Sequence, residues 1–267
     1  MDPIIILGVL LALLFNFSNG LNDAANSIAT IIATKALTPL QAVLLAGVFN
    51  LLGPLLFTTA IAATIGRGIV DPGILTPTLI LVALIGAVLW VFITSLLGIP
   101  VSSSHALIGG LLGTGIAAAG AGAVLWPSLA TVEQLSFYVI VGAVLGAIVT
   151  SAVAYYNGDF KPWNLILGGL IGMTVLIPVA MATGFLKIGG ILGILIFIIV
   201  SPMLGFIAAF ALTTIVVHVF RNHPPRRLSG LFRNLQIFSG SFQAIGHGAN
   251  DAQNAMGIIT AMLLAGG

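Results

Sequence analysis

Two short segments of the sequence place carboxylate and carboxamide side chains inside apolar runs. Residues 20–33 read GLNDAANSIATIIA and residues 248–261 read GANDAQNAMGIITA, with seven identities in fourteen positions. The shared polar residues are Asn22, Asp23 and Asn26 in the first segment and Asn250, Asp251 and Asn254 in the second. A carboxylate buried at membrane depth costs several kcal/mol unless it is paired or binds an ion. No Lys or Arg lies close in sequence to Asp23, so the pattern predicts cation binding, with an Asp that only caps a half-helix as the alternative.

The same segments contain residues that disfavour a continuous helix. Residues 18–27 read SNGLNDAANS, in which Asn and Gly both have low helix propensity. We therefore expect the helix to open at each motif in the middle of the membrane. An opened helix would offer unpaired carbonyl groups to a cation and unpaired N–H groups to an anion.

A third polar element lies between two apolar runs, at Gly98-Ile-Pro-Val-Ser-Ser-Ser-His105. Pro100 ends the preceding helix, and a hydroxyl from Ser102, Ser103 or Ser104 can cap the next one. Three hydroxyls beside the free N–H groups of a helix start predict an oxyanion site, although Pro followed by Ser is also an ordinary helix start. His105 could be a ligand, a proton-linked group or an interfacial residue, and the sequence leaves these open.

The composition places these elements in a membrane. Of 267 residues, 59% are hydrophobic and 5% are charged, with a mean hydropathy of +1.23 and a net charge of +2. Soluble domains carry about 25% charged residues. A soluble enzyme, a nucleic-acid binder and a disordered chain are excluded, and the absence of cysteine excludes disulfide and thiol chemistry.

The uncharged intervals predict an all-α polytopic membrane protein. A spanning helix needs about 20 apolar residues, and the 61 residues between Asp71 and Glu133 without a formal charge allow two crossings and a turn. We predict seven crossings and the start of an eighth helix. They lie near residues 3–33, 38–65, 74–97, 105–126, 135–156, 163–183 and 188–220, and from about 231.

Cationic residues predict the orientation and the division of the chain. Four of the eight Lys and Arg residues surround a polar hinge at 221–233. With this hinge in the cytoplasm, seven crossings place six cations inside and two outside, and the N-terminus outside. We expect a first repeat with connecting helices at 1–220, the hinge at 221–233, and an incomplete second repeat at 234–267.

The two motif copies would lie on helices of opposite direction, which is typical of an inverted-repeat secondary transporter. An intramembrane hydrolase built on the serines and His105 is the rival from another class. It gives no reason for a duplicated Asn-Asp pair and lacks a nucleophile-elbow pattern. A passive channel would need a filter repeat or charged rings, which the sequence does not show.

GLNDAANSIAT at 20–30, GANDAQNAMG at 248–257 and PVSSSHALIGG at 100–110 together resemble the inorganic phosphate transporter (PiT) family. The resemblance implies Na⁺- or H⁺-coupled symport of inorganic phosphate across a plasma membrane, with a sulfate permease on the same scaffold as the alternative. It implies no enzymatic activity, no cofactor beyond the coupling ion, and a lipid bilayer but no nucleic acid as partner.

The resemblance also assigns roles to matching residues. Asp23 and Asp251, with Asn22 and Asn250, would bind Na⁺. The substrate anion would be held by Ser102, Ser103, Ser104, Asn26 and Asn254, next to the same two carboxylates, with His105 as a candidate proton-linked group.

Two departures from the family pattern stand out. The 228-residue offset between the copies predicts a second Ser/His element at about 330–333, whereas the chain has 267 residues. We therefore expect a homodimer, a missing C-terminal segment or a minimal variant, and poor transport by this chain alone. Ala255 also replaces the hydroxyl of Ser27 in the second copy.

Overall fold

The computed structural model describes residues 2–57 and 60–267, and nearly all of them are helical. The helices are α1 (Pro3–Ala33), α2 (Pro39–Leu56), α3 (Ala60–Arg67), α4 (Pro77–Leu96), α5 (Ser103–Ala119), α6 (Leu129–Tyr156), α7 (Trp163–Ala182), α8 (Gly190–Phe220) and α9 (Pro225–Ala265). The described residues contain no β-strand, only one isolated antiparallel bridge between Val70 and Val124. The all-α prediction is confirmed.

The helices begin where the sequence supplies caps. Thr38 caps α2 in a capping box with Gln41, and Thr76 and Ser128 accept hydrogen bonds from the first turns of α4 and α6. Proline occupies the first turn of α1, α2, α4 and α9, where its missing N–H would have had no helical partner.

Within the described residues, six helices are long and apolar enough to cross a membrane: α1, α2, α4, α6, α7 and α8. The chain is therefore a multi-pass helical membrane protein. The fourth predicted crossing is a shorter apolar helix of 17 residues, α5. The bridge between Val70 and Val124 joins the segment before α4 to the segment after α5, so α5 returns to the level at which α4 starts.

The predicted helix at 38–65 is two helices. α2 ends at Leu56, Phe57 is extended with φ −113° and ψ 162°, and α3 starts at Ala60; residues 58 and 59 lie outside the described part of the chain. Pro54 lies in the last turn of α2, where its ring removes a backbone donor and disfavours continuation of the helix.

The prediction that the helices open at the two motifs is wrong. α1 runs without interruption from Pro3 to Ala33 through Asp23, and α9 runs from Pro225 to Ala265 through Asp251. Asn and Gly each cost only about 0.5–1 kcal/mol in a helix, and packing of the flanking turns outweighs that preference.

The polar hinge is also shorter than the predicted 221–233. Only residues 221–224 are non-helical between α8 and α9, because Pro225 starts a helix that the following Arg and Leu residues continue. The predicted division at 1–220 and 234–267 stays a prediction. Contacts group the described chain differently, into one unit of residues 2–125 and 223–267 and another of residues 126–222.

The first unit contains both motif helices, which pack antiparallel. At one end the Thr34 hydroxyl donates to Gln236 Oε1 (2.7 Å) and the Arg233 guanidinium donates to the Lys35 carbonyl (2.8 Å). At the other end Gly8 of α1 leaves room for the Met262 side chain of α9. This is the relation that an inverted repeat requires of its two copies, and the repeat itself stays a prediction.

A glycine contact seats α9 against α2. A Cβ at Gly248 would lie 2.0 Å from the Asn50 carbonyl oxygen, and a Cβ at Gly53 would lie 2.3 Å from the Ala249 nitrogen. Only glycine allows the two backbones to approach this closely. This contact sets the position of α9 relative to α2 at the turn just before Asp251.

The second unit is held together by a comparable glycine contact. Four glycines bring α6 and α7 into backbone contact, and the Thr150 hydroxyl donates to the Asn164 carbonyl (2.7 Å). These glycines are Gly142, Gly146, Gly168 and Gly172.

Candidate functional site

Three ionisable side chains converge between α1 and α9 in the first unit. Asp23 projects from α1, and His247 and Asp251 project from successive turns of α9. His247 Nδ1 lies 2.6 Å from Asp251 Oδ2, and one donor atom from each of the three residues lies within 4.8 Å of the others. All three are half-buried. The two motif carboxylates therefore meet at one place.

A cavity of about 400 Å³ adjoins this cluster. It is lined by Asp23, Asn26 and Ser27 of α1 and by Phe242, Gln243, Gly246 and His247 of α9. None of these described lining residues is Lys or Arg, so the Asp23 carboxylate has no fixed cation beside it in the cavity wall. The arrangement suits an incoming cation.

The start of α5 is bonded to both motif helices. The Ser103 hydroxyl donates to Asn19 Oδ1 of α1, and both side chains are buried. The next residue faces the other helix, because Asn254 Nδ2 of α9 donates to Ser104 Oγ (2.7 Å). Adjacent serines thus link α5 to α1 and to α9.

Ser102 is the N-cap of α5 and accepts a hydrogen bond from the backbone N–H of His105 (3.4 Å). Ser102 and His105 are both exposed. The first turn of an α-helix leaves backbone N–H groups without intrahelical partners, and these are the groups that an anion can use.

Among the predicted site residues, the fold brings Asp23, Asp251 and Asn26 to the cluster and its cavity, and it bonds Ser103, Ser104 and Asn254 into the helix contacts. Asn22 and Asn250 lie exposed, away from the shared face of α1 and α9. A residue next to each Asp points away from it because neighbouring residues of a helix differ by about 100° in direction.

Two residues of the site have no role assigned by the sequence patterns. His247 and Asn19 stand four residues before their respective Asp and correspond to each other at the 228-residue offset. A comparison of identities misses this position because the residue types differ. The i, i+4 spacing, which places both side chains on one helix face, is the signal that could have found it. Asn19 Nδ2 is buried without a hydrogen-bond partner among the described residues.

Comparisons with known proteins identify the family of the chain. The profile described as "Phosphate transporter family" matches residues 19–165 and 217–266. The chain is 37% identical over 265 residues to a probable low-affinity inorganic phosphate transporter of Rhizobium meliloti, covering 99% of this chain and 61% of that protein. It is 34% identical over 289 residues to a putative phosphate permease of Pyrococcus furiosus, covering 98% of this chain and 66% of that protein.

A solved structure, "The sodium-dependent phosphate transporter", is similar with a TM-score of 0.59 and 28% identity, covering 99% of this chain and 68% of that one. This chain thus spans about two thirds or less of the length of the curated relatives named here. These relatives are called phosphate transporters or permeases, so they are not enzymes and do not support the sulfate alternative. With both motif copies and the serine element inside the matched ranges, the chain belongs to the phosphate transporter family.

Proposed function

We propose that this protein carries out Na⁺-coupled symport of inorganic phosphate across the plasma membrane by alternating access. The observation that supports it most strongly is the convergence of Asp23 and Asp251, from antiparallel helices, beside a cavity whose described lining contains no fixed cation. The sodium-dependent transporter with a similar structure favours Na⁺ over H⁺ as the coupling ion.

In this proposal the two carboxylates hold the coupling ion. Two unit charges at 4.8 Å, the upper limit of the observed separation, repel by about 3.5 kcal/mol at an effective dielectric constant of 20, and by more at shorter separations. A cation between them removes this repulsion. Asn22 and Asn250 would add amide oxygens after a rotation of the motif turns, and His105 is retained as a candidate proton-linked group at the exposed start of α5.

The anion would bind where α5 begins, between the motif helices. Ser102, Ser103 and Ser104 supply hydroxyls, and Asn26 and Asn254 supply amide N–H groups. Ser103 and Ser104 already bond to Asn19 and Asn254, so phosphate would take over these hydrogen bonds. Exchange of one partner for another avoids leaving a buried polar group unpaired, which would cost about 1–3 kcal/mol.

Coupling follows from the charges. Phosphate is partly dianionic near neutral pH, so it would bind weakly beside two bare carboxylates and more tightly once cations neutralise them. By linkage, phosphate in turn raises the affinity for the cations. Two carboxylates next to hydroxyls also favour an anion that keeps a proton to donate, which phosphate has and sulfate lacks.

The orientation that goes with this proposal has the N-terminus outside and residues 221–233 in the cytoplasm. The native chain has no cysteine, so single cysteines report cleanly. Ser229 is exposed, and Ser229→Cys should resist an impermeant thiol reagent added to intact cells. Exposed Glu133, which the seven crossings place outside, provides the matched position, and Glu133→Cys should react. Reaction at Ser229→Cys with protection at Glu133→Cys would show that the orientation is the opposite of the proposed one.

Uptake of labelled phosphate into proteoliposomes tests the transport reaction in a protein extended to the length of the curated relatives, because this chain spans 61% of one of them and is expected to transport poorly alone. An inward Na⁺ gradient should drive accumulation of phosphate above equilibrium, and replacing Na⁺ with K⁺ at constant pH should remove it. Labelled sulfate in parallel vesicles should accumulate much more slowly. Equal rates for sulfate and phosphate, or downhill phosphate flux alone, would contradict the proposal.

A further inference from the structure

We propose that Asp23, His247 and Asp251 form a site for a divalent transition-metal cation of the Zn²⁺ type, which bridges α1 and α9 and competes with Na⁺. The metal site is inferred from the geometry of the three side chains, and only its competition with Na⁺ rests on the proposed function.

The donor types point to this class of cation. Alkali and alkaline-earth ions prefer oxygen ligands, whereas an imidazole nitrogen suits Zn²⁺, Ni²⁺ and Co²⁺. His247 places such a nitrogen directly against Asp251, with Nδ1 2.6 Å from Oδ2. A site that bound only Na⁺ would not need an imidazole nitrogen among its ligands.

The spacing of the donors fits a single metal ion. His247 and Asp251 are four residues apart on α9, so their side chains share one helix face. Asp23 completes the set from α1, with all three donor atoms within 4.8 Å of one another. In a tetrahedral zinc site with ligands about 2.0–2.1 Å from the metal, donors lie about 3.3 Å apart. The His247–Asp251 pair, at 2.6 Å, would open by about 0.7 Å, and a pair at the 4.8 Å limit would close by about 1.5 Å.

Charge and access support the same conclusion. Two carboxylates and a neutral imidazole would cancel the charge of a divalent ion. Asp23 and His247 line the cavity of about 400 Å³, which gives an entry path and leaves room for a water as fourth ligand. A metal held by both helices would fix α1 against α9, and it would therefore arrest a cycle in which Na⁺ must enter and leave between these helices.

Direct binding is the primary test. The full 267-residue chain, purified in detergent with a tag that contains no histidine, is titrated with Zn²⁺ by calorimetry without phosphate or a Na⁺ gradient. We expect one Zn²⁺ per chain. His247→Gln and Asp251→Asn should each weaken binding by at least about 10-fold, because loss of an outer-shell partner alone costs about that much.

Matched controls identify the ligands. His218→Gln removes an exposed histidine in the last turn of α8, and Asp71→Asn removes an exposed carboxylate that caps a separate turn. Both should bind Zn²⁺ like the parent chain. Co²⁺ should give visible absorption bands that His247→Gln changes. Monodisperse elution of each variant in size-exclusion chromatography separates ligand loss from misfolding.

Several outcomes would overturn the inference. These are the absence of saturable Zn²⁺ binding, unchanged binding in folded His247→Gln, and equal affinity for Mg²⁺ and Zn²⁺. Added Na⁺ should raise the apparent Kd for Zn²⁺, and no effect would refute the competition. If Zn²⁺ binds as expected while vesicles fail to accumulate phosphate, the metal site stands and the transport proposal fails. Conversely, Na⁺-driven uptake by a chain that does not bind Zn²⁺ would support the transport proposal and refute the metal site.

Discussion

The two copies of the Asn-Asp motif have nearly the same sequence but different surroundings. Four residues before Asp23 stands Asn19, whose side-chain oxygen accepts a hydrogen bond from Ser103 of α5. Four residues before Asp251 stands His247, which pairs with that Asp on the same helix. The copy on α1 is therefore tied to the serine element, whereas the copy on α9 contains its own His–Asp contact. The two carboxylates are not equivalent.

The second difference concerns the Asn that follows each Asp. Asn26 is exposed in the wall of the cavity, whereas Asn254 is buried and bonded to Ser104. Their glycines differ in the same sense: Gly20 has free space around it, and Gly248 touches the backbone of α2. In the first unit, the motif residues of α9 pack against neighbouring helices, whereas the motif residues of α1 line the cavity. A duplicated motif thus supports two distinct environments.

The largest expected effect is on transport when either carboxylate is neutralised. Asp23→Asn and Asp251→Asn should each reduce Na⁺-driven phosphate uptake by about 100-fold or more, because removing the charge removes the reason for a cation to bind. Initial rates of labelled uptake in proteoliposomes measure this loss. Asp71→Asn, at an exposed turn, should retain parental rates. Full activity of one motif variant would assign coupling to the other copy alone.

The next effect tests the difference in packing at the two motif glycines. Gly248→Ala places a methyl group 2.0 Å from the Asn50 carbonyl oxygen, and overpacking of this kind costs about 1–3 kcal/mol. Gly20→Ala meets nothing within 4 Å and should be neutral or stabilise α1 by about 0.5–1 kcal/mol. Thermal unfolding in detergent compares the pair. Similar midpoints for both variants would contradict the close contact of α2 and α9.

A smaller effect is expected for the hydroxyls that link α5 to the motif helices. Ser104→Ala leaves the buried Asn254 amide without its acceptor and should destabilise the fold by about 1–3 kcal/mol. Ser103→Ala removes the donor to Asn19 and should have a similar effect. The exposed cap Ser102 is the control, since Ser102→Ala should cost about 1 kcal/mol or less. Equal losses of stability in all three variants would show that the hydrogen bonds of Ser103 and Ser104 contribute no more than the helix cap at Ser102.

The smallest expected effect on transport comes from making the two copies alike at the differing position. His247→Asn replaces the imidazole with the residue found at position 19. Na⁺-driven uptake should change by only a few-fold, because both carboxylates remain, while inhibition of uptake by Zn²⁺ should disappear. Dose–response curves for Zn²⁺ on the parent and the variant measure this. Unchanged inhibition would place the inhibitory metal elsewhere.

Much of the fold follows from local sequence. Long uncharged intervals predict α4, α6, α7 and α8 because a spanning helix needs only length and apolarity, and caps such as Thr76 and Ser128 set the starts of α4 and α6. The chemistry of the site is also local, since a carboxylate within an apolar run must be paired or bind an ion wherever it lies. This argument identifies Asp23 and Asp251, and the helix break at Pro100 followed by three serines identifies the serine element.

Other features depend on contacts between residues far apart in the chain. Local propensity predicted open helices at both motifs, but packing of α1, α2 and α9 keeps these helices continuous. Residues more than 200 positions apart meet at Asp23 and His247, and the partners of Ser103 and Ser104 depend on how α5 enters between two helices. Sequence alone determined a multi-pass helical membrane protein with two copies of an Asn-Asp motif. Only the tertiary structure decided that the motifs share one cluster with a histidine, because helix packing, and not helix propensity, sets distances between side chains on different helices.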